Sequence, residues 1–96
     1  MAKKLWSVLT DDMDTCIFTG SPYVERHHVF GGSNKALSEK YGYIAPVRYD
    51  LHPNGANKGD EAKDIDVILK QRCQRHYEAN IGTREQFIKE FGKSYL

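Results

Sequence analysis

Residues 25–32 read Glu25-Arg26-His27-His28-Val29-Phe30-Gly31-Gly32, and residues 50–57 read Asp50-Leu51-His52-Pro53-Asn54-Gly55-Ala56-Asn57. Three of the four histidines fall in these two segments, and each segment ends in residues that stop regular structure. The first segment reads as the end of a strand over residues 23–30. Successive strand side chains point to opposite faces, so Tyr23, Glu25, His27 and Val29 share one face. Val24, Arg26, His28 and Phe30 take the other. The adjacent histidines therefore diverge, and Gly31-Gly32 breaks the strand.

Working outward, Ser33 is placed to cap a short helix over residues 34–40, which Gly42 ends. Residues 43–49 read as a second strand, and Pro46 demotes it to an edge or an irregular ladder. Residues 50–59 carry a proline, two asparagines and two glycines, a loop composition. Residues 60–79 form a long helix. Ile65, Leu69, Cys73 and His76, flanked by Ala62, Ile68 and Tyr77, recur at helical spacing on one face. Asp60, Glu61 and Asp64 lie in its first turns, where the helix dipole favours anions. Thr83-Arg84-Glu85-Gln86 fits a capping box, so a last helix covers residues 84–91. Phe87, Ile88 and Phe91 make its apolar face, Gly92 ends it, and Tyr95 and Leu96 tuck back as a tail. Before the first strand, residues 5–10 are a short strand or an ordered arm anchored by Trp6 and Leu9. Asp11, Asp12 and Asp14 form a solvated turn; no EF-hand pattern follows them.

This element order gives a single α+β domain over residues 1–96. Its motif core spans about residues 16–79 and a helical C-terminal extension covers 80–96. The core is small, and the aromatic content of 11% helps it, because each buried ring removes a large apolar area from water. Fourteen Lys and Arg face thirteen Asp and Glu, so net charge alone does not point to nucleic acid; local clustering has to. Cys16 and Cys73 form no CxxC pair, which argues against a zinc knuckle or a redox dithiol. No signal peptide or transmembrane run is read, so a soluble cytoplasmic protein with reduced thiols is expected.

Divergent histidines at a strand end, joined by a third in a loop before a helix, suit one task. Two imidazoles from different elements hold a divalent cation, and the remaining one acts as general base on a water. A phosphodiester fits such a site, because the cation takes charge from the phosphate while the imidazole generates hydroxide.

At this point the sequence resembles the HNH (ββα-metal, His-Me finger) endonucleases, and more closely their small phage-encoded members. The motifs that carry the resemblance are HHVFGG, SEKYG, DLHPNG and TREQFIKEFGKSYL. By motif order it covers residues 16–79, and by texture nearly the whole chain. The resemblance implies a ββα-metal core and hydrolysis of DNA phosphodiesters, as an endonuclease or nickase. His28 then stands at the general-base position, and His27 and His52 at metal-ligand positions. Asn54 follows His52 as an orienting residue. Close relatives place a further His where this chain has Asn57. With Asn57 as an oxygen ligand, or with Asp60 or Glu61 substituting for it, the site is harder and suits Mg²⁺ or Mn²⁺ better than Zn²⁺. The zinc cysteines of many members are missing here, so no structural zinc is expected.

Arg26, Lys35, Lys40, Arg48 and Lys58 flank the motif and are the candidate phosphate contacts, with weak sequence readout. Gly31 and Gly32 let backbone approach a phosphate. The implied setting is DNA in a bacterial host, with a phage or prophage origin and phage or host DNA-metabolism proteins as further partners.

Plainer readings stand beside these. His27-His28 also fits an exposed strand end with one imidazole on a backbone carbonyl, and His52 a turn residue. Asn54-Gly55 is itself a turn signal. Asn57 and Asp60 are ordinary helix caps. His76 and Cys73 read as packing residues on the long helix. A catalytically impaired module on the same fold, binding DNA or inhibiting a host defence protein, is the alternative function that Asn57 motivates. A DNA-binding regulator using the long helix is a third, against which the small net charge speaks.

Overall fold

The computed structural model describes residues 5–48 and 60–96. In chain order the described elements are strand β1 (Val24–His28), a 3-10 turn (Gly32–Asn34), helix α1 (Lys35–Tyr41), strand β2 (Ile44–Arg48), helix α2 (Asp60–Asn80) and helix α3 (Arg84–Phe91). The architecture is α+β: a two-stranded antiparallel sheet with three helices. Both expected strands form: the first is shorter at both ends than the alternation suggests, and the second begins one residue later, at Ile44. Tyr49, at the end of the second, lies outside the described residues.

The register sets Val24 against Arg48, Glu25 against Val47, Arg26 against Pro46, His27 against Ala45 and His28 against Ile44. Directly opposed residues share a face. One face therefore carries Glu25 and His27 with Val47 and Ala45. Ala45 and Val47 join Ile65, Leu69 and Cys73 in one buried cluster, so this face packs on α2. The other face carries Arg26 and His28 with Pro46, Ile44 and Arg48. The segment before β1 runs along the free edge of β2, where the Ile17 N–H donates to the Pro46 carbonyl at 2.9 Å. A strand residue points its N and its C=O to the same side, so Pro46 turns its missing donor away from β1. That is why proline is tolerated mid-strand here.

The connection between the strands is clamped by Ser38. Its buried hydroxyl donates to the Phe30 carbonyl at 2.8 Å and accepts from the Phe30 N–H at 3.0 Å. This pins α1 against the end of β1. The helix starts later than expected. Ser33 lies inside the 3-10 turn and Asn34 occupies the N-cap, with no side-chain capping bond. Asn34 is used elsewhere, donating from Nδ2 to the Phe91 carbonyl at 3.0 Å.

Gly42 ends α1 in the left-handed region at φ 72°, and a Cβ there would lie 2.6 Å from the Trp6 ring. The N-terminal stretch is thus an ordered arm, not a strand. Its Trp6 ring covers Gly42, and the Val8 N–H donates to the Gly42 carbonyl at 2.9 Å. Replacing Gly42 with alanine imposes both backbone strain and a ring displacement. A loss of about 2 kcal/mol or more in urea unfolding is expected, while alanine at the open Gly31 position should cost less.

On α2, Ile65, Leu69, Cys73 and Tyr77 are buried, while Ile68 is exposed and His76 half-buried. The α3 capping box forms in full, with Thr83 and Gln86 exchanging both bonds. Phe87 and Phe91 are buried, but Ile88 is exposed, so the apolar face of α3 is narrower than the spacing suggests. The C-terminal tail does fold back. Gln74, fully buried, accepts from the Tyr95 N–H at 2.7 Å, and Tyr95 packs its ring on Phe30 at 5.6 Å.

Glu90 of α3 accepts from the hydroxyls of Tyr41 and Tyr77, tying α1, α2 and α3 together. Burial alone would raise its carboxyl, but the two hydroxyls and nearby Lys40 hold it below its ordinary value. Burial and the Glu90 carboxylate push both phenols up to about 12. The depressed carboxyl stabilises the fold above its unfolded pKa and loses that contribution as pH falls through its folded value. The raised phenols contribute fully below about 10, their unfolded value, and lose it as pH rises towards about 12. Melting temperature should therefore fall on acidification below the ordinary carboxylate range. The gap between wild type and Glu90→Gln should be widest near neutrality and close in acid, as a pH series of thermal melts will read.

Candidate active site

His27 and His28 leave the sheet on opposite faces, as the alternation requires. His27 is 4% exposed with its Nε2 sealed from solvent, on the face that packs on α2 and opposite the small side chain of Ala45. An alanine there leaves room for an imidazole between the sheet and the helix layer. His28 lies on the other face, where its Nε2 is 3.0 Å from Oε2 of Glu39 on α1. The two side chains are 17% and 21% exposed, so the pair sits at the surface without being washed by it.

A carboxylate only accepts hydrogen bonds, so the His28 Nε2 carries the proton in this contact. In the neutral imidazole the lone pair is then on Nδ1, the nitrogen left able to take a proton from a water. The same carboxylate stands ready to balance the charge of an imidazolium. A base with its opposite nitrogen fixed by an acidic group is chemically equipped for proton abstraction.

Arg26 and Arg48 share the His28 face of the sheet. Arg26 is exposed and donates from Nη2 to Asp14 at 2.7 Å and from Nε to the Met13 carbonyl at 3.4 Å. Lys35 is exposed on α1, one turn before Glu39. Lys40 is exposed on the same helix, with its Nζ 5.0 Å from the centre of the Tyr41 ring. The fold thus brings Arg26, Arg48 and His28 onto one face, with Lys35 on the adjoining helix. His52, Asn54, Asn57 and Lys58 lie outside the described residues.

Among the described residues no group of three or more His, Cys, Asp or Glu side chains could hold a metal ion. The other expected donors, His52 and Asn57, and the side chains of Asp60 and Glu61 that could substitute for Asn57, lie outside the described residues. His27 is the candidate donor from the sheet, with its imidazole buried and its Nε2 sealed from solvent. His76 does not belong to such a site: its Nδ1 is 3.1 Å from the Tyr43 hydroxyl within the packed layer. Cys73 is equally structural; burial pushes its thiol well above the ordinary range, and both cysteines are free. The aspartates near the N-terminus form a hydrogen-bonded turn, with Asp12 accepting from the Asp14 N–H at 2.9 Å and from the Thr15 hydroxyl at 2.9 Å.

Glu39 escaped the sequence reading. The signal available was that it is the one carboxylate between His28 and Arg48. Its distance from His28 along the chain hides a contact that the packing of α1 on the strand end creates, with Ser38 bonded to Phe30 beside it. Among the described residues, no helix is long and apolar enough to cross a membrane. Comparison of the chain with known proteins gave no match to a family model, a curated protein or a solved structure.

Proposed function

We propose that this chain is a metal-dependent endonuclease or nickase of the HNH class that hydrolyses DNA phosphodiester bonds. In this reading β1, β2 and α2 make its ββα-metal core. The observation that carries the proposal is the divergence of two adjacent imidazoles at the end of β1. One is buried towards α2, and the other, half-buried on the opposite face, is held by a carboxylate. A packing role explains His27 alone; it gives no reason for a surface imidazole fixed by an acid beside it.

His28 Nδ1 takes a proton from water, and the resulting hydroxide attacks phosphorus as the P–O3′ bond breaks. The leaving 3′-oxygen takes a proton from solvent water, and His28 returns its proton to solvent. Arg26, Lys35, Lys40, Arg48 and Lys58 seat the phosphate backbone of DNA, which favours weak sequence specificity. His27, His52 and Asn57 would hold a divalent cation, Mg²⁺ or Mn²⁺ rather than Zn²⁺. When bound, that cation supplies positive charge to the scissile phosphate and the leaving 3′-oxygen.

The test is conversion of supercoiled plasmid to nicked or linear DNA by purified protein with Mg²⁺ or Mn²⁺. Cleavage that chelation stops supports the proposal. No cleavage with any divalent ion refutes it, and DNA retained without cleavage would favour the impaired binding module that Asn57 motivates.

A further inference from the structure

We infer that Glu39 is the positioning residue of this site: it holds the His28 ring through Nε2–H and so presents Nδ1 to the attacking water. The inference rests on the hydrolytic reading above and adds the residue that orients its base. Three observations carry it. Glu39 Oε2 and His28 Nε2 are 3.0 Å apart. Both side chains are largely withdrawn from solvent, where a charge-assisted bond is worth more than at an open surface. The preceding residue, Ser38, is bonded in both directions to the backbone of Phe30, two residues beyond His28. The Glu39 carboxylate is therefore delivered to the imidazole by a rigid clamp and not by a free-swinging helix. The chemistry follows from the bond. As Nδ1 accepts the proton of water, the imidazole becomes a cation facing a carboxylate that is already in place. No proton passes to Glu39; its part is to fix the ring and balance the charge.

The experiment uses the full chain. The Nε2–H proton of a surface histidine normally exchanges too fast to be seen. In wild-type, metal-free protein in mildly alkaline buffer, the His28 Nε2–H should give a protected ¹H–¹⁵N resonance. Glu39→Ala should lose it. Glu39→Gln, whose carboxamide oxygen still accepts, should keep it. With plasmid substrate and saturating Mn²⁺, Glu39→Ala should lower kcat on the order of 10- to 100-fold with KM little changed. Glu39→Gln should recover part of that loss. A His28 Nε2–H resonance absent from wild type, or persisting in Glu39→Ala, overturns the inference, as does an unchanged kcat in Glu39→Ala. Wild-type protein inactive with every divalent ion sinks the hydrolytic reading instead, while the resonance still decides whether Glu39 holds His28. Should Glu39→Ala fail to fold, the wild-type resonance and the Glu39→Gln pair decide alone.

Discussion

Substituting His28 with alanine is expected to abolish metal-dependent nicking while leaving the fold intact. General-base catalysis by a positioned imidazole contributes on the order of 10²- to 10⁴-fold, and kcat should fall by that amount. The binding of DNA should change far less, because the phosphate contacts assigned to Arg26, Lys35, Lys40, Arg48 and Lys58 are untouched. The fold should survive because the buried cluster that joins the sheet to α2 and α3 does not include His28. Plasmid nicking and thermal unfolding on the same preparation separate the two effects. A variant that unfolds tells nothing about chemistry; one that melts like wild type yet still nicks at the wild-type rate removes His28 from the mechanism.

The second large effect is on stability, at Phe30. This ring is 2% exposed and stands among Tyr43, Phe87, Phe91 and Tyr95, with ring centroids between 4.5 and 6.0 Å away. It therefore joins the end of β1 to α3 and to the C-terminal tail. Truncating it to alanine loses the transfer free energy of the ring and leaves a cavity that its neighbours fill only partly. Such losses run to about 3–5 kcal/mol. A domain of this size shifts its melting temperature by about 4–8 °C per kcal/mol, so Tm should drop by more than about 12 °C. Phe30→Leu, which keeps most of the volume, should cost less. Circular dichroism melts of the two variants check both. Because Phe30 follows His28 by two residues and is clamped by Ser38, activity should decline with it; a fully active, destabilised Phe30→Ala would show that the site tolerates a loosened strand end.

How much of this was legible in the sequence depends on the range of the interactions involved. The α2 and α3 helices were readable because periodicity and capping are local. Asp60, Ile65, Leu69 and Cys73 announce α2, and Thr83 with Gln86 announces the start of α3. The divergence of His27 and His28 was readable too, because it follows from strand geometry alone. Burial was legible only in part. Ile88 and Ile68 fit their apolar stripes by spacing yet face solvent, since the width of a buried face is set by what packs on it. The opposite miss is Gln74, a polar residue fully buried because the returning tail supplies its partners. The Ser33 expectation failed because a 3-10 turn takes the first residues after Gly31, which shifts the cap to Asn34.

In the candidate site the same division holds. The imidazoles were visible as a local motif, but the acid that orients one of them was not. His28 and Glu39 meet because α1 folds back on the strand end, where Ser38 clamps it to Phe30, a tertiary contact with no periodic signature. The other half of the expected metal site, His52 and Asn57, lies outside the described residues, so His52 still stands on the motif DLHPNG and Asn57 on the resemblance alone.

In the proposed mechanism His27 and His52 share a divalent cation beside the base His28. Crystals grown with Mn²⁺ and measured at the manganese absorption edge will show whether it is there. One anomalous peak is expected within bonding distance of a ring nitrogen of His27 and of a ring nitrogen of His52. Well-ordered His27 and His52 side chains at saturating Mn²⁺, with no peak between them, would rule out the shared cation.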